Sequence, residues 1–184
     1  MTGKVELDHA NLDDENIPIA YAVALPKFIA MSVSTFGLYW IYWSFRAYRN
    51  LGLSKAASGV YAFFLTISLY ELLKRVEFAA KKANLSVSMS KIPLALTFFL
   101  LEAANRFLDR EGKWPFWATF LLAALPVLPM IIVQRRINAI NLALRPNLPL
   151  AARFNGLNIA WLSIFTIVFC LGLVGLMLPQ EPTP

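Results

Sequence analysis

Histidine and cysteine are nearly missing from these 184 residues: each occurs once, as His9 and Cys170. A lone histidine argues against a multi-histidine metal or haem site and against a histidine proton relay. A lone cysteine excludes an internal disulfide, and Cys170 reads as a small apolar residue facing lipid or a neighbouring helix. Charge is scarce too. Asp, Glu, Lys and Arg make up 15% of the chain, against about 25% in ordinary soluble domains. No glycine-rich phosphate loop, nucleophile elbow or metalloprotease motif occurs. The expectation is a protein with no cofactor, no metal and no enzymatic activity built on such motifs.

What is present is apolar length. Leu157 to Leu178 is a run of 22 residues without a charge, Trp114 to Val133 one of 20, and Phe28 to Phe45 one of 18. A bilayer core of about 30 Å needs roughly 20 apolar residues in a helix. Inside lipid every backbone polar group must be satisfied within its own segment, so these runs should be helices. Barrel strands would instead alternate in polarity over about 10 residues. The fold class expected is all-α, an integral membrane helical bundle.

Five membrane helices are expected: Ala24 to Tyr48, Ala56 past Leu73, Ile92 to Leu108, Trp114 to about Val133, and Asn158 to Leu178. The third is interrupted by Glu102 and Arg106, and four crossings remain if 92–108 is only interfacial. Residues 19–178 then form one helical membrane domain. An acidic, poorly ordered tail (1–18) precedes it and a short tail (179–184) follows. Residues 1–15 lack the basic start and cleavage site of a signal peptide, so the first membrane helix should serve as its own insertion signal. Pro126 and Pro129 each remove a backbone donor and predict a kink in the fourth run.

Two helices should outlast the bilayer. Leu72, Val76, Ala79 and Ala83 share a stripe, with Glu71/Arg75 and Glu77/Lys81 spaced as favourable i,i+4 pairs. After Val133, an apolar stripe of Ile137, Ile140 and Leu144 opposes a polar one of Gln134, Asn138, Asn141 and Arg145. With Arg135 and Arg136, that polar stripe is a candidate face for an anionic lipid or a partner helix, or else a solvated surface.

The net charge of +6 is no nucleic-acid footprint, because the basic residues sit mostly between apolar runs, where they anchor helix ends to head groups. With five crossings, Lys and Arg divide 11 against 6, which places the N-terminus in the cytoplasm and the C-terminus outside. Tyr39, Trp40, Tyr42 and Trp43, followed by Arg46 and Arg49, read as aromatics at the membrane boundary. Alternatively they wall a pocket for a lipid tail. Glu102, Asn105 and Arg106 are the candidate intramembrane polar group. Glu102 and Arg106 are spaced to pair, and such groups either tie helices together or mark an ion or solute path. Asp109, Arg110 and Glu111 with Gly112 read as a turn.

Gly37-Leu-Tyr-Trp-Ile-Tyr-Trp43 with Phe45 and Arg46 resembles the aromatic-rich first membrane helix of a family of small bacterial multi-pass membrane proteins. Gln134-Arg-Arg-Ile-Asn138 and Arg153-Phe-Asn-Gly-Leu-Asn-Ile159 resemble further stretches of that family. The resemblance implies a bacterial inner membrane and carries no activity with it. The leading expectation is a non-enzymatic accessory or regulatory membrane component. It would act by helix packing, with the lipid bilayer, a membrane-protein partner or a second copy as its contacts, and no nucleic acid. A small transporter or channel using Glu102 and Arg106 comes next, and a lipid-modifying enzyme third.

Overall fold

A computed structural model of the chain describes residues 18–107 and 115–177. The described residues are all-helical apart from turns, loops and a single isolated bridge between Val23 and Ala151. Eight helices follow one another: α1 (Leu25–Ser34), α2 (Leu38–Asn50), α3 (Lys55–Phe63), α4 (Leu65–Lys82), α5 (Lys91–Phe107), α6 (Phe116–Ala124), α7 (Val127–Leu144) and α8 (Gly156–Met177).

The single helix expected over 24–48 is a helical hairpin instead. α1 ends at Thr35, where the Phe36 and Gly37 amides donate back to Val33 O and Ser32 O, a left-handed helix stop. Phe36 and Gly37 both have positive φ, 48° and 83°. α2 then runs back along α1. The Phe28 and Trp43 rings lie 5.7 Å apart and the Trp40 indole donates to Ser32 Oγ at 2.9 Å. Residues 28 and 43 would be roughly 22 Å apart on a straight helix. With 10 and 13 residues, neither arm reaches across roughly 30 Å of hydrocarbon.

The second expected helix divides in the same way. Its two parts, α3 and α4, meet at Phe64. The Arg75 guanidinium lies 5.9 Å from the Tyr61 ring, a contact that a straight helix would prevent by holding the two positions roughly 21 Å apart. Ser68 Oγ donates to Tyr61 O at 2.6 Å, and the Tyr48 hydroxyl donates to Ser68 O at 2.8 Å. These bonds fasten α4 to α3 at the turn and tie both to α2. α3 climbs along α2, and α4 returns beside it.

The ends of both hairpins share one end of the bundle, here the near end. The Arg46 guanidinium lies over Tyr21, Ala151 N donates to Ala22 O, and the Lys27 ammonium donates to Arg153 O. Leu51 shares a groove with Glu71 and Lys91. The Arg136 guanidinium donates to Ser88 O at 2.7 Å, which holds the α4–α5 loop at that same end. From there α5 rises, α6 and α7 descend, and α8 rises again.

α6 and α7 form one rod, interrupted by a two-residue turn. Leu125 and Pro126 keep right-handed helical backbone angles, but neither Pro126 nor Pro129 has an amide proton to donate to the preceding turn. The helix is interrupted at Leu125–Pro126, in the run where the proline kink is expected. Taken together, Trp117–Leu144 spans 28 residues at mean hydropathy 1.9, and it is the one helical stretch among the described residues long and apolar enough to cross a membrane. A shorter apolar stretch, Gly156–Gly172, lies in α8.

The core fills the space between the α1–α2 hairpin, α4, α5 and α7. Phe28, Trp43, Tyr48, Leu69, Leu72, Leu73, Phe98, Met130 and Ile137 are its largest fully buried members. At the far end the hairpin tip, Phe36, joins Phe120 of α6 and Phe165 and Phe169 of α8 in an aromatic cluster, with ring centroids 5.1–6.3 Å apart. The two i,i+4 pairs on α4 are formed, at 2.9 Å for Glu71–Arg75 and 2.6 Å for Glu77–Lys81.

Candidate functional site

The polar stripe of α7 faces inward. Gln134 and Asn141 are buried, and their side chains hold the non-helical segment 19–23 against the helix. Gln134 Oε1 accepts from the Trp43 indole, while its amide nitrogen donates to Asn138 Oδ1 at 2.7 Å and to Tyr21 O and Val23 O. Asn138 Nδ2 donates to Val23 O at 2.8 Å. Asn141 Oδ1 accepts from Ile19 N at 2.9 Å, and its amide donates to Ile137 O and Ala20 O. The three amides thus satisfy backbone groups that no helix or sheet serves.

This corrects the expectation of a lipid or partner face at those positions. The stripe is covered by the chain's own segment, because a non-helical segment brings unpaired N–H and C=O groups that need partners. Arg135 is exposed and Arg136 points away to Ser88; Arg145 is half-buried at the end of α7. The six residues form no common outer surface.

The aromatics expected at the membrane boundary are also mostly internal. Tyr39, Trp40 and Trp43 are buried, with Trp40 against Phe98 at 5.2 Å and Trp43 on Gln134; Tyr42 alone is exposed. The hairpin is the cause: folding α2 back onto α1 turns its aromatic face into the core.

Glu102, Asn105 and Arg106 lie near the far end of α5. Glu102 and Arg106 share a cavity of about 460 Å³ with Phe63, Phe64, Ile67 and Phe99. Glu102 and Asn105 are half-buried and Arg106 is exposed. The ion pairs of the described residues are all on α4 or link α4 to Lys91, so the expected Glu102–Arg106 contact is not made. Beneath this cavity the Trp40–Phe98 contact fills the space between α2 and α5. Asp109, Arg110 and Glu111 lie outside the described residues.

A second cavity, of about 290 Å³, opens between the α1–α2 hairpin and the start of α8. Its near-end wall is polar: Lys27, the phenols Tyr21, Tyr39 and Tyr42, and the pair Asn155 and Asn158. The asparagines cap α8 reciprocally, Asn158 N donating to Asn155 Oδ1 at 2.9 Å and Asn155 N to Asn158 Oδ1 at 3.3 Å. Lys27 is only 7% exposed. Its ammonium donates to Arg153 O at 2.6 Å and sits 5.8 Å from the Phe154 ring. No carboxylate among the described residues pairs with it. The Tyr39 hydroxyl approaches that of Tyr21, but it is buried with no partner in hydrogen-bonding geometry. Burial pushes the Tyr21 phenol up to about 12, with the neighbouring Tyr42 adding to the rise, so Tyr21 is a neutral donor at physiological pH. Sequence reasoning missed Lys27, Tyr21, Asn155 and Asn158 as a group. The one signal was a lysine directly before an 18-residue uncharged run.

No group of three or more metal-ligating side chains is present among the described residues. Set beside known protein families, curated proteins and solved structures, the chain matches none.

Proposed function

We propose that the chain is an integral membrane protein that crosses the bilayer three times, through α5, the α6–α7 rod and α8. The α1–α2 and α3–α4 hairpins dip into it from one side and return. Of the fourteen described Lys and Arg residues, thirteen lie at the near end and Arg106 alone near the far end. Basic loops stay in the cytoplasm, so that end is cytoplasmic, with the N-terminus inside and the C-terminus outside. An 11-to-6 division follows only if the first two runs cross; once they turn back, Arg46, Arg49 and Lys55 change sides. The bacterial inner membrane is the setting that the sequence resemblance favours.

Within that membrane the protein acts as a non-enzymatic accessory or regulatory component, through packing of α8 against another membrane component or a second copy. The carrying observation is the exposure of α8. One stripe, Asn158, Leu162, Phe165 and Phe169, leans on the bundle, and eight large apolar side chains from Leu157 to Val174 stand exposed on the remaining faces. In water that surface would forfeit on the order of 10 kcal/mol, comparable with the whole stability of a soluble domain. Transport through Glu102 and Arg106 has their cavity in its favour, but the aromatic packing of Trp40 and Phe98 below it supports a structural role. A photocrosslinker placed at Leu157, Ile164 and Leu171 in turn tests the reading in intact membranes. A discrete protein adduct from this face, retained through purification in mild detergent, is expected. Lipid adducts alone on a strictly monomeric chain would refute it.

A further inference from the structure

We propose that the cavity between the α1–α2 hairpin and the start of α8 is a binding site for one anionic phospholipid, with its phosphate on Lys27 and an acyl chain running toward the far end along α8. It rests on the three-crossing reading, which places Lys27 and Arg153 at the level of the head groups.

Two features converge on that ligand. The first is charge. Lys27 is buried and has a carbonyl and an aromatic ring for company, but no counter-charge among the described residues. A buried ammonium without an anion is costly, and the capped start of α8, which carries the positive end of a 22-residue helix, lies on the same wall and adds to the attraction for an anion. The second is the gradient of polarity. Beyond the lysine, the walls change to Met31, Leu38 and Trp161, with Thr35 among them already bonded to Met31 O and Tyr39 N, and Leu38 is also open to the outside. A cavity of about 290 Å³ takes a phosphate, its glycerol and the first methylenes, and the rest of the chain would lie in the groove beside the exposed side of α8.

A free phosphate would use Lys27 but leave the apolar limb empty, so the amphiphile fits the whole cavity. This differs from general attraction of basic loops to acidic membranes, which needs no particular lysine.

The test is native mass spectrometry of the full chain released from vesicles of equal phosphatidylglycerol and phosphatidylcholine. One phosphatidylglycerol per chain is expected to survive release. Lys27→Met should weaken that retention about tenfold, whereas Arg135→Gln, which removes an exposed cation elsewhere, should leave it unchanged. Because Lys27→Met also removes the bond to Arg153 O, Leu38→Trp provides the second arm. It narrows the apolar limb without touching the polar wall, and it should reduce retention while thermal unfolding stays as in wild type. Equal loss with Arg135→Gln, no selectivity for phosphatidylglycerol, or displacement by millimolar inorganic phosphate would overturn the proposal. Resistance of the chain to carbonate extraction is read on the same vesicles, so failure of the membrane reading is seen separately.

Discussion

The Trp43 indole N–H donates to Gln134 Oε1 across 91 residues of chain. That bond joins the returning arm of the first hairpin to α7, and the same glutamine fastens the segment before α1 through Tyr21 O and Val23 O. One buried side chain thus ties three pieces of the fold together.

Gln134→Leu keeps the approximate volume and removes every one of these bonds. An orphaned buried donor or acceptor costs about 1–3 kcal/mol, and here the indole N–H and backbone carbonyls are orphaned together. A loss of on the order of 3 kcal/mol is expected, read as a lowered unfolding temperature in detergent. Proteolysis between Ile19 and Val23 should accelerate in parallel. Unchanged stability would mean that the network is incidental.

Gly37→Ala should also destabilise, for two reasons. Gly37 sits at φ 83°, and an added Cβ would stand 2.8 Å from Trp40 Cζ3. Left-handed backbone costs a non-glycine residue about 1–2 kcal/mol; the buried Trp40 ring, bonded to Ser32, cannot swing aside. A combined loss of about 2–4 kcal/mol is expected in thermal unfolding. A wild-type melting curve would argue against the tight hairpin.

The turning-back of the first run is open to direct labelling. In a Cys170→Ser background, Arg46→Cys and Arg153→Cys, both exposed, should react with an impermeant maleimide from the same, cytoplasmic side. Arg106→Cys should react only from the opposite side. A first run that crossed the bilayer would put Arg46 and Arg153 on opposite sides.

Acid should weaken the α4–α5 junction. Glu77 accepts from the Lys81 and Lys91 ammonium groups, and these bonds, with the Met89 amide, outweigh the upward effect of desolvation and hold its carboxyl down at about 2. A folded-state value below the ordinary 4.5 means that the unfolded chain binds the proton first as pH falls. The stabilisation is therefore complete above about 4.5 and lost progressively between there and about 2. Unfolding temperature should fall over that window in wild type, and the fall should shrink in Glu77→Gln. Identical pH profiles would show that the junction does not depend on this carboxylate.

The sequence by itself determined that the described chain is helical, which of its stretches are apolar, where the proline rod is interrupted, and that Glu71–Arg75 and Glu77–Lys81 pair. These are local matters: hydropathy, a missing amide proton, and spacing of 3.6 residues per turn. Tertiary structure alone decided that the runs at 24–48 and 56–73 double back. An apolar run has the same hydropathy whether it continues or reverses, and Phe36, Gly37 and Phe64 supply only faint breaks. It also decided that the aromatics of α2 and the amides of α7 face inward. Periodicity puts Gln134, Asn138 and Asn141 on one side of a helix, but the backbone that covers them arrives from more than a hundred residues earlier, and no local pattern records that meeting.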